Sequence, residues 1–410
     1  MPNPLSLLAL AGPGLLMAAT GVGAGDLATA SFAGSHLGVA VLWAVVIGGF
    51  LKFVLTEGLA RWQLATGQTL LEGIAHHMGL LPGLLFLPYL LLWSFFVSSA
   101  LMSACGVTLH ALIPVFTDAA DGKIAFGILC SLAGLGLVRA GGFRLFEIVM
   151  NVCISIMFVT VIMTALLLWP GTGPVLQGLL IPTVPDAGGS GWIWTVALIG
   201  GVGGTLTILC YGYWIREKGR FGPGEIRNCR IYLGVSYTMT VLFGLAMVII
   251  GSTIEIEGRG AGLLVALGES LGRELGPVGG WLFLLGAFGA VFSSLLGVWQ
   301  SVPYLFADTV RLFVRSGARA SSVDTSAPSY RLYMIAIAII PMTGLFMSFR
   351  EIQKLYAVVG AGFMPLLAIL LLVMNGRRAW VGEFRNRWPA TLSLLATAVF
   401  FGSIAWNTRL

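Results

Sequence analysis

Runs of apolar residues long enough to cross a lipid bilayer recur along the whole chain. A membrane-spanning helix needs about 20 such residues, and eleven stretches of this kind lie between charged or Pro/Gly-rich segments. In order, we number them spans 1 to 11: 5–35, 40–64, 83–113, 123–139, 146–169, 192–216, 229–252, 277–311, 330–348, 352–375 and 388–407. The sequence therefore predicts an all-α polytopic membrane protein, with residues 1–410 forming a single transmembrane domain.

Composition supports this class and excludes others. Only 10% of the residues are charged, against roughly 25% in soluble domains, and the mean hydropathy is +0.93. These values exclude a soluble enzyme, a disordered regulator and a nucleic-acid binder. The sequence has no metal-ligand spacing, nucleophile motif or phosphate-binding loop, so we expect neither catalysis nor a cofactor.

The basic residues predict the orientation. If the N-terminus is cytoplasmic, the inside loops hold 16 of the 23 Lys and Arg residues, the outside loops hold six, and Lys52 lies within span 2. Cytoplasmic loops carry the excess of Lys and Arg in membrane proteins. We therefore expect a multi-pass protein of the cell membrane, monomeric in the bilayer, with a cytoplasmic N-terminus and an external C-terminus.

Spans 1 and 6 carry matching glycine interruptions. Span 1 contains Gly21-Val22-Gly23-Ala24-Gly25-Asp26, and span 6 contains Gly201-Val202-Gly203-Gly204-Thr205. An offset of five spans reverses the direction across the bilayer, and paired interruptions of this kind indicate an inverted-repeat transporter. The prediction is repeat 1 over about 5–169, repeat 2 over about 192–375 and an extra helix over about 388–407. The alternative is that these glycines only allow close helix packing.

Several short motifs in spans 1 and 2 resemble the Nramp (natural-resistance-associated macrophage protein) family of metal transporters. They are Gly12-Pro13-Gly14-Leu15-Leu16, Leu27-Ala28-Thr29, Ala33-Gly34-Ser35, Ala65-Thr66-Gly67 and Leu71-Glu72, with Pro365-Leu366-Leu367 in span 10. The resemblance implies the fold shared with amino-acid transporters, which has two inverted five-helix repeats plus one helix. It also implies a transported divalent metal.

The chain departs from the family at its metal-binding motifs. The family's Asp-Pro-Gly-Asn run reads Gly23-Ala24-Gly25-Asp26 here, and its Met-Pro-His run falls at Thr207-Ile208-Leu209. The family's span 10 glutamine falls near Ala357, and its proton-relaying acidic pair near Ser99 and Met102. A thioether selects softer transition metals, so its loss argues against selective Mn²⁺ or Fe²⁺ uptake, and the loss of the acids argues against proton coupling.

Asp26 is the acidic residue at the span 1 interruption. As a ligand, its carboxylate would hold a cation and its waters together with carbonyl groups of both interruptions, since Mg²⁺ binds through one or two carboxylates and keeps several waters. As a structural residue, Asp26 would instead cap the following half-helix. The candidate cation-binding residues at the two interruptions are Asp26, Gly23, Ala24, Gly25, Gly203, Gly204, Thr205 and Thr207.

Two further groups of residues are candidates. Glu57 with Arg61 and Asp308 with Arg311 have helical spacing for ion pairs, and we expect structural or gating roles. Spans 6 and 8 also contain an aromatic and amide set that would suit a sugar or small organic solute, unless these rings only pack or face lipid. The set is Tyr211, Tyr213, Trp214, Trp299, Gln300 and Tyr304.

The leading hypothesis is a transporter of a hydrated, Mg²⁺-like divalent cation that works by alternating access without tight proton coupling. The second keeps the fold and transports a small organic solute such as a sugar or an amino acid. The third is a sensor or other membrane protein that transports nothing.

Overall fold

The computed structural model describes residues 23, 25–253, 263–314 and 325–407. Every regular element in these ranges is helical, which confirms the all-α prediction. A π-helical turn, Gly25–Thr29, precedes the first α-helix. The α-helices are α1 Ala30–Leu37, α2 Leu42–Thr66, α3 Leu70–Met78, α4 Leu81–Leu112, α5 Ala119–Leu167, α6 Thr172–Leu180, α7 Gly191–Gly201, α8 Cys210–Glu217, α9 Ile226–Gly251, α10 Leu263–Thr309, α11 Pro328–Ile339, α12 Phe349–Ala361, α13 Phe363–Met374, α14 Arg378–Val381 and α15 Trp388–Asn407.

Long apolar helices dominate the described part of the chain. Eight stretches are long and apolar enough to cross a membrane, and a ninth forms if two helices bent by 116° make one span. The segment 26–66 counts as one stretch although the sequence predicted the end of span 1 and span 2 there. The membrane-protein class is confirmed, whereas the number eleven stays a prediction. Ala24 and the first part of span 1 lie outside the described residues.

One predicted boundary differs from the structure, and another agrees with it. The loop expected between spans 4 and 5 is helical, because α5 continues from Ala119 to Leu167 through a segment without proline. Span 8 starts where it was predicted: α10 extends from Leu263 to Thr309 but is interrupted at Gly276, which has a φ of 77°, and the membrane-length apolar stretch runs from Gly276 to Val314. Glycine adopts this left-handed conformation without steric cost.

The broken span 6 lies at the centre of the helix bundle. The stretch Gly191–Glu217 contains α7 and α8. In its apolar membrane-length segment, 94% is buried inside the protein, the largest share among the candidate spans described. Lipid-facing helices expose large apolar side chains; Leu85 on α4 is 66% exposed. Because α7 and α8 are enclosed by other helices, backbone polar groups freed at their junction can face protein or a cavity and not hydrocarbon.

Candidate transport site at a helix break

The helical hydrogen-bond pattern of span 6 is interrupted between α7 and α8. Val202 is extended, and Gly203 and Gly204 have φ values of 80° and 82°. Helical structure resumes as a 3₁₀ turn over Leu206–Leu209, followed by α8. Two consecutive left-handed residues require glycine. The break leaves carbonyl groups at the end of α7 and N–H groups after it available to other partners.

Asp26 contacts this break from the neighbouring interruption. Its carboxylate is fully buried and accepts hydrogen bonds from the Gly203 N–H at 3.2 and 3.3 Å. It also accepts a longer bond, 3.4 Å, from the Gly23 N–H three residues earlier. The structure therefore brings Asp26, Gly23 and Gly203 together, and Asp26 both caps its own turn and joins the two interruptions.

Lys52 is a component of this site that the sequence interpretation left unused. Its ammonium group is buried, with 1% of the residue exposed, and donates a 2.7 Å hydrogen bond to the Gly200 carbonyl and a second bond to the Val202 carbonyl. Lys52 and Asp26 therefore bind the two ends of one peptide group, Val202–Gly203. The available signal was a single charge in the middle of an apolar span, which is a functional hypothesis by default.

The packing beside Gly23 explains why the family's aspartate is not found there. A Cβ atom at Gly23 would lie 2.2 Å from the hydroxyl oxygen of Ser294 on α10. A larger residue would therefore displace α10 or the interruption itself. The carboxylate comes instead from Asp26, three residues later.

Hydroxyl groups complete the surroundings of the break. Thr205 accepts a 2.8 Å hydrogen bond from the Trp93 indole N–H, which fixes the start of the second half-helix. The hydroxyls of Thr207 and Thr29 are buried and have no hydrogen-bond partner among the described residues. Buried hydroxyls are rarely left unpaired, so these two oxygens are available to a ligand or to water.

The predicted aromatic set is mainly used for packing. Trp214, Trp299 and Tyr211 are fully buried, and the Trp214 indole donates a 3.1 Å hydrogen bond to the Gln300 side chain. Gln300 and Tyr304 line a cavity of about 520 Å³. None of the four tryptophan and tyrosine rings at 211, 213, 214 and 299 is among the residues that line it.

A cluster of charged side chains, which we call the end cluster, joins α3, α8 and the end of α10. Its members are Glu72, Arg216, Asp308, Arg311 and Tyr213. Asp308 accepts bonds from Arg311 at 2.5 Å and from the Tyr213 hydroxyl at 2.6 Å. Glu72 accepts from Arg216 at 3.0 Å and lies 3.3 Å from Arg311.

In the end cluster, Asp308 and Arg311 form an ion pair, and Glu72 and Arg216 join them although sequence spacing did not predict either residue. Glu72 starts α3 as the acidic partner of a capping box with Thr69. Burial by itself raises the pKa of the Glu72 carboxyl, but the hydrogen bond and charge of Arg216 outweigh it and hold the pKa below its ordinary value. Glu72 is therefore ionised near neutral pH and joins α3 to α8 and α10.

The second predicted pair is also formed. Glu57 lies 3.2 Å from Arg61 and 2.8 Å from Arg230 on α9. Arg61 donates a 2.9 Å bond to Asn386 and a 3.2 Å bond to the Phe384 carbonyl. This arrangement connects α2 to the segment before α15, and it stabilises the bundle away from the break.

Comparisons with known proteins identify the family and the fold. The model of the family described as natural resistance-associated macrophage protein-like matches residues 14–410. The chain belongs to the Nramp family. It is therefore a multi-pass membrane transporter rather than an enzyme, and the resemblance predicted from spans 1 and 2 is confirmed.

Curated Nramp relatives and solved structures are similar at low identity. A divalent metal cation transporter MntH of Aeromonas hydrophila is 24% identical over 97% of this chain and 95% of its own length. MntH of Chromohalobacter salexigens is 30% identical, but the alignment spans only 45% of this chain and 42% of that protein. The manganese transporter of Eremococcus coleocola has a TM-score of 0.76 at 17% identity, covering 99% of this chain and 88% of that one.

A further solved structure has a similar fold at low identity. MhsT, solved with L-phenylalanine, has a TM-score of 0.58 at 15% identity over 94% of this chain and 97% of its own. This likeness confirms the fold shared with amino-acid transporters that the sequence resemblance implied. It shows the fold alone.

Proposed function

We propose that this Nramp protein moves a divalent cation across the cell membrane by alternating access, and that the cation binds, still partly hydrated, beside Asp26 at the break between α7 and α8. The observation that carries the proposal is the fully buried Asp26 carboxylate, held at the break by backbone N–H groups. Curated relatives are named divalent metal cation transporters, which supports the same class of cargo here.

The candidate ligands at this site are oxygen atoms, and they favour a hard cation such as Mg²⁺ over Mn²⁺ or Fe²⁺. The described site supplies a carboxylate, backbone carbonyls and the hydroxyls of Thr207 and Thr29, and Thr207 stands where the family has a thioether. Oxygen ligands suit Mg²⁺, which binds through one or two carboxylates and retains waters. Within the described ranges, three or more His, Cys, Asp or Glu side chains nowhere converge in a way that could hold a metal, so water must complete the coordination.

The proposed cation site also contains a buried, positively charged side chain, that of Lys52. Its ammonium neutralises the Asp26 charge across the Val202–Gly203 peptide group and occupies the carbonyls at the end of α7. An arriving divalent cation would bind Asp26 against the repulsion of this nearby ammonium, which already holds the Gly200 and Val202 carbonyls. We therefore expect the site to bind the cation weakly and to release it at a small cost in free energy.

Two observations support alternating access without tight proton coupling. The end cluster joins α3, α8 and the end of α10 on the side predicted to face the cytoplasm, and its opening would connect the break to that side. At the family's acidic proton-relay position, Ser99 donates 2.8 Å bonds to the Phe95 and Pro341 carbonyls and so serves helix packing. The inverted repeat, the cytoplasmic N-terminus and the monomeric state are parts of this proposal.

A small organic solute is less well supported. Trp214 and Trp299, the rings on which that alternative depended, are fully buried, and the Trp214 N–H is already satisfied by Gln300. Neither ring lines the 520 Å³ cavity.

The test is flux of Mg²⁺ and Mn²⁺ into proteoliposomes that contain the purified protein, with Asp26→Asn reconstituted beside it. Asparagine keeps an oxygen to accept from the Gly203 N–H, so the variant should fold while losing the ligand charge. We expect Mg²⁺ entry in the wild type that exceeds Mn²⁺ entry and falls at least tenfold in Asp26→Asn. If folded wild-type protein moves neither ion, the cation proposal is wrong.

A further inference from the structure

A basic crevice lies on the outside of the bundle, where α2, α9 and the start of α15 meet. It has a volume of about 480 Å³ and is separate from the break and from the end cluster. Its charged lining consists of Arg61, Arg230, Arg385, Arg387, Glu57 and Glu383. The four cations exceed the two acids, so the crevice attracts anions.

Some of the charged side chains in the crevice form ion pairs and others do not. Glu57 pairs with Arg61 and with Arg230, which leaves the Arg230 side chain 53% exposed. The side chains of Arg385 and Arg387 are exposed and make neither a hydrogen bond nor an ion pair with any residue in the described part of the chain. Two arginines are therefore free to bind an anion.

The other wall of the crevice is apolar and faces outward. Phe50, Phe53 and Val54 of α2 line it together with Pro389 and Ala390 of α15, and Phe50 is 52% exposed. Arg61 lies near the end of α2, Arg230 near the start of α9 and Arg387 directly before α15, so the basic groups share one membrane face. Trp388 is 75% exposed, as expected of an anchor at a membrane surface.

We propose that this crevice binds an anionic phospholipid, with the headgroup phosphate on Arg385, Arg387 and Arg230 and an acyl chain along Phe50 and Phe53. Arginine binds phosphate through a planar, bidentate donor pair, and basic pockets between membrane helices bind anionic headgroups. A soluble phosphate would use the arginines but gain nothing from the apolar wall, so the lipid is the occupant that uses both. The proposal does not depend on what the protein transports.

The experiment titrates the purified full chain in neutral detergent with phosphatidylglycerol and counts bound lipid by native mass spectrometry. Phosphatidylcholine and inorganic phosphate are titrated in parallel. The test variant is Arg385→Gln with Arg387→Gln. The matched control is Arg227→Gln with Arg378→Gln, two exposed arginines that do not line the crevice.

We expect phosphatidylglycerol to bind at least tenfold more tightly than phosphatidylcholine, and free phosphate at millimolar concentration not to displace it. Each arginine near a membrane surface contributes about fivefold in affinity, so the crevice variant should bind about 30-fold more weakly while the control keeps wild-type affinity. Equal weakening in both variants, no preference over phosphatidylcholine, or displacement by free phosphate would each overturn the proposal. Both variants alter exposed side chains, and their thermal unfolding verifies that they fold.

Discussion

The helix break and the end cluster are both buried and charged, but they hold their charges differently. At the break, Asp26 and Lys52 bind backbone groups of an unwound segment. In the end cluster, the side chains bind each other, with Asp308 between Arg311 and Tyr213. Backbone groups can exchange a side chain for a cation or water, whereas removing one member of a side-chain pair leaves its partner unpaired. This difference fits the proposed binding and release of a cation at the break and a stabilising role for the end cluster.

Breaking the end cluster should produce the largest loss of stability. Replacing Arg311 by Gln leaves the fully buried Asp308 carboxylate with only the Tyr213 hydroxyl, and a buried charge that loses its partner costs about 3–5 kcal/mol. We expect the free energy of unfolding in detergent to fall by about 3 kcal/mol. A double variant with Asp308→Asn should recover part of the loss, and an Arg311→Gln variant of wild-type stability would show that the pair with Asp308 does not stabilise the folded protein.

The two regions also show which features can be predicted from the sequence and which cannot. The helical class, the glycine break and the pairs Glu57–Arg61 and Asp308–Arg311 follow from composition and from spacing along one helix. Lys52 and Glu72 act on groups 148 and 144 residues away, and no local pattern encodes such contacts. Charged residues between spans 4 and 5 predict a loop, but they do not interrupt helical hydrogen bonds, and α5 is continuous there.

The stability that the end cluster contributes should depend on pH through Glu72. Because the pKa of Glu72 is lower in the folded protein than its ordinary value of 4.5, its ion pairs contribute their full stability above that value. The contribution is lost as the pH falls below about 4.5. We expect the difference in unfolding temperature between wild type and Glu72→Gln to stay constant from pH 8 to pH 5.5 and to shrink below pH 4.5. A difference that already shrinks between pH 7 and pH 6 would contradict this account.

Glu57 should matter least, because Arg230, one of its two partners, is half exposed. The exposed pair with Arg230 contributes about 0–1 kcal/mol. The side chains of Glu57 and Arg61 are only 12% and 5% exposed, but Arg61 keeps its bonds to Asn386 and Phe384 when Glu57 is neutralised. We expect Glu57→Gln to lower the free energy of unfolding by about 1 kcal/mol or less and to leave cation flux within twofold of wild type. A loss as large as that of Arg311→Gln would show that Glu57 stabilises the folded protein as much as the end cluster does.

The most direct test of the central claim, that the Lys52 ammonium opposes cation binding at Asp26, is calorimetric Mg²⁺ binding to Lys52→Met. The matched control is Lys123→Met, which also removes a buried lysine bonded to a backbone carbonyl, here that of Met347. A unit charge within a few ångströms is worth about 1–4 kcal/mol, so Lys52→Met should bind Mg²⁺ at least tenfold more tightly than wild type. Mg²⁺ should also raise its unfolding temperature more than that of the wild type, while Lys123→Met keeps wild-type affinity. Unchanged or weaker Mg²⁺ binding by folded Lys52→Met would contradict the account.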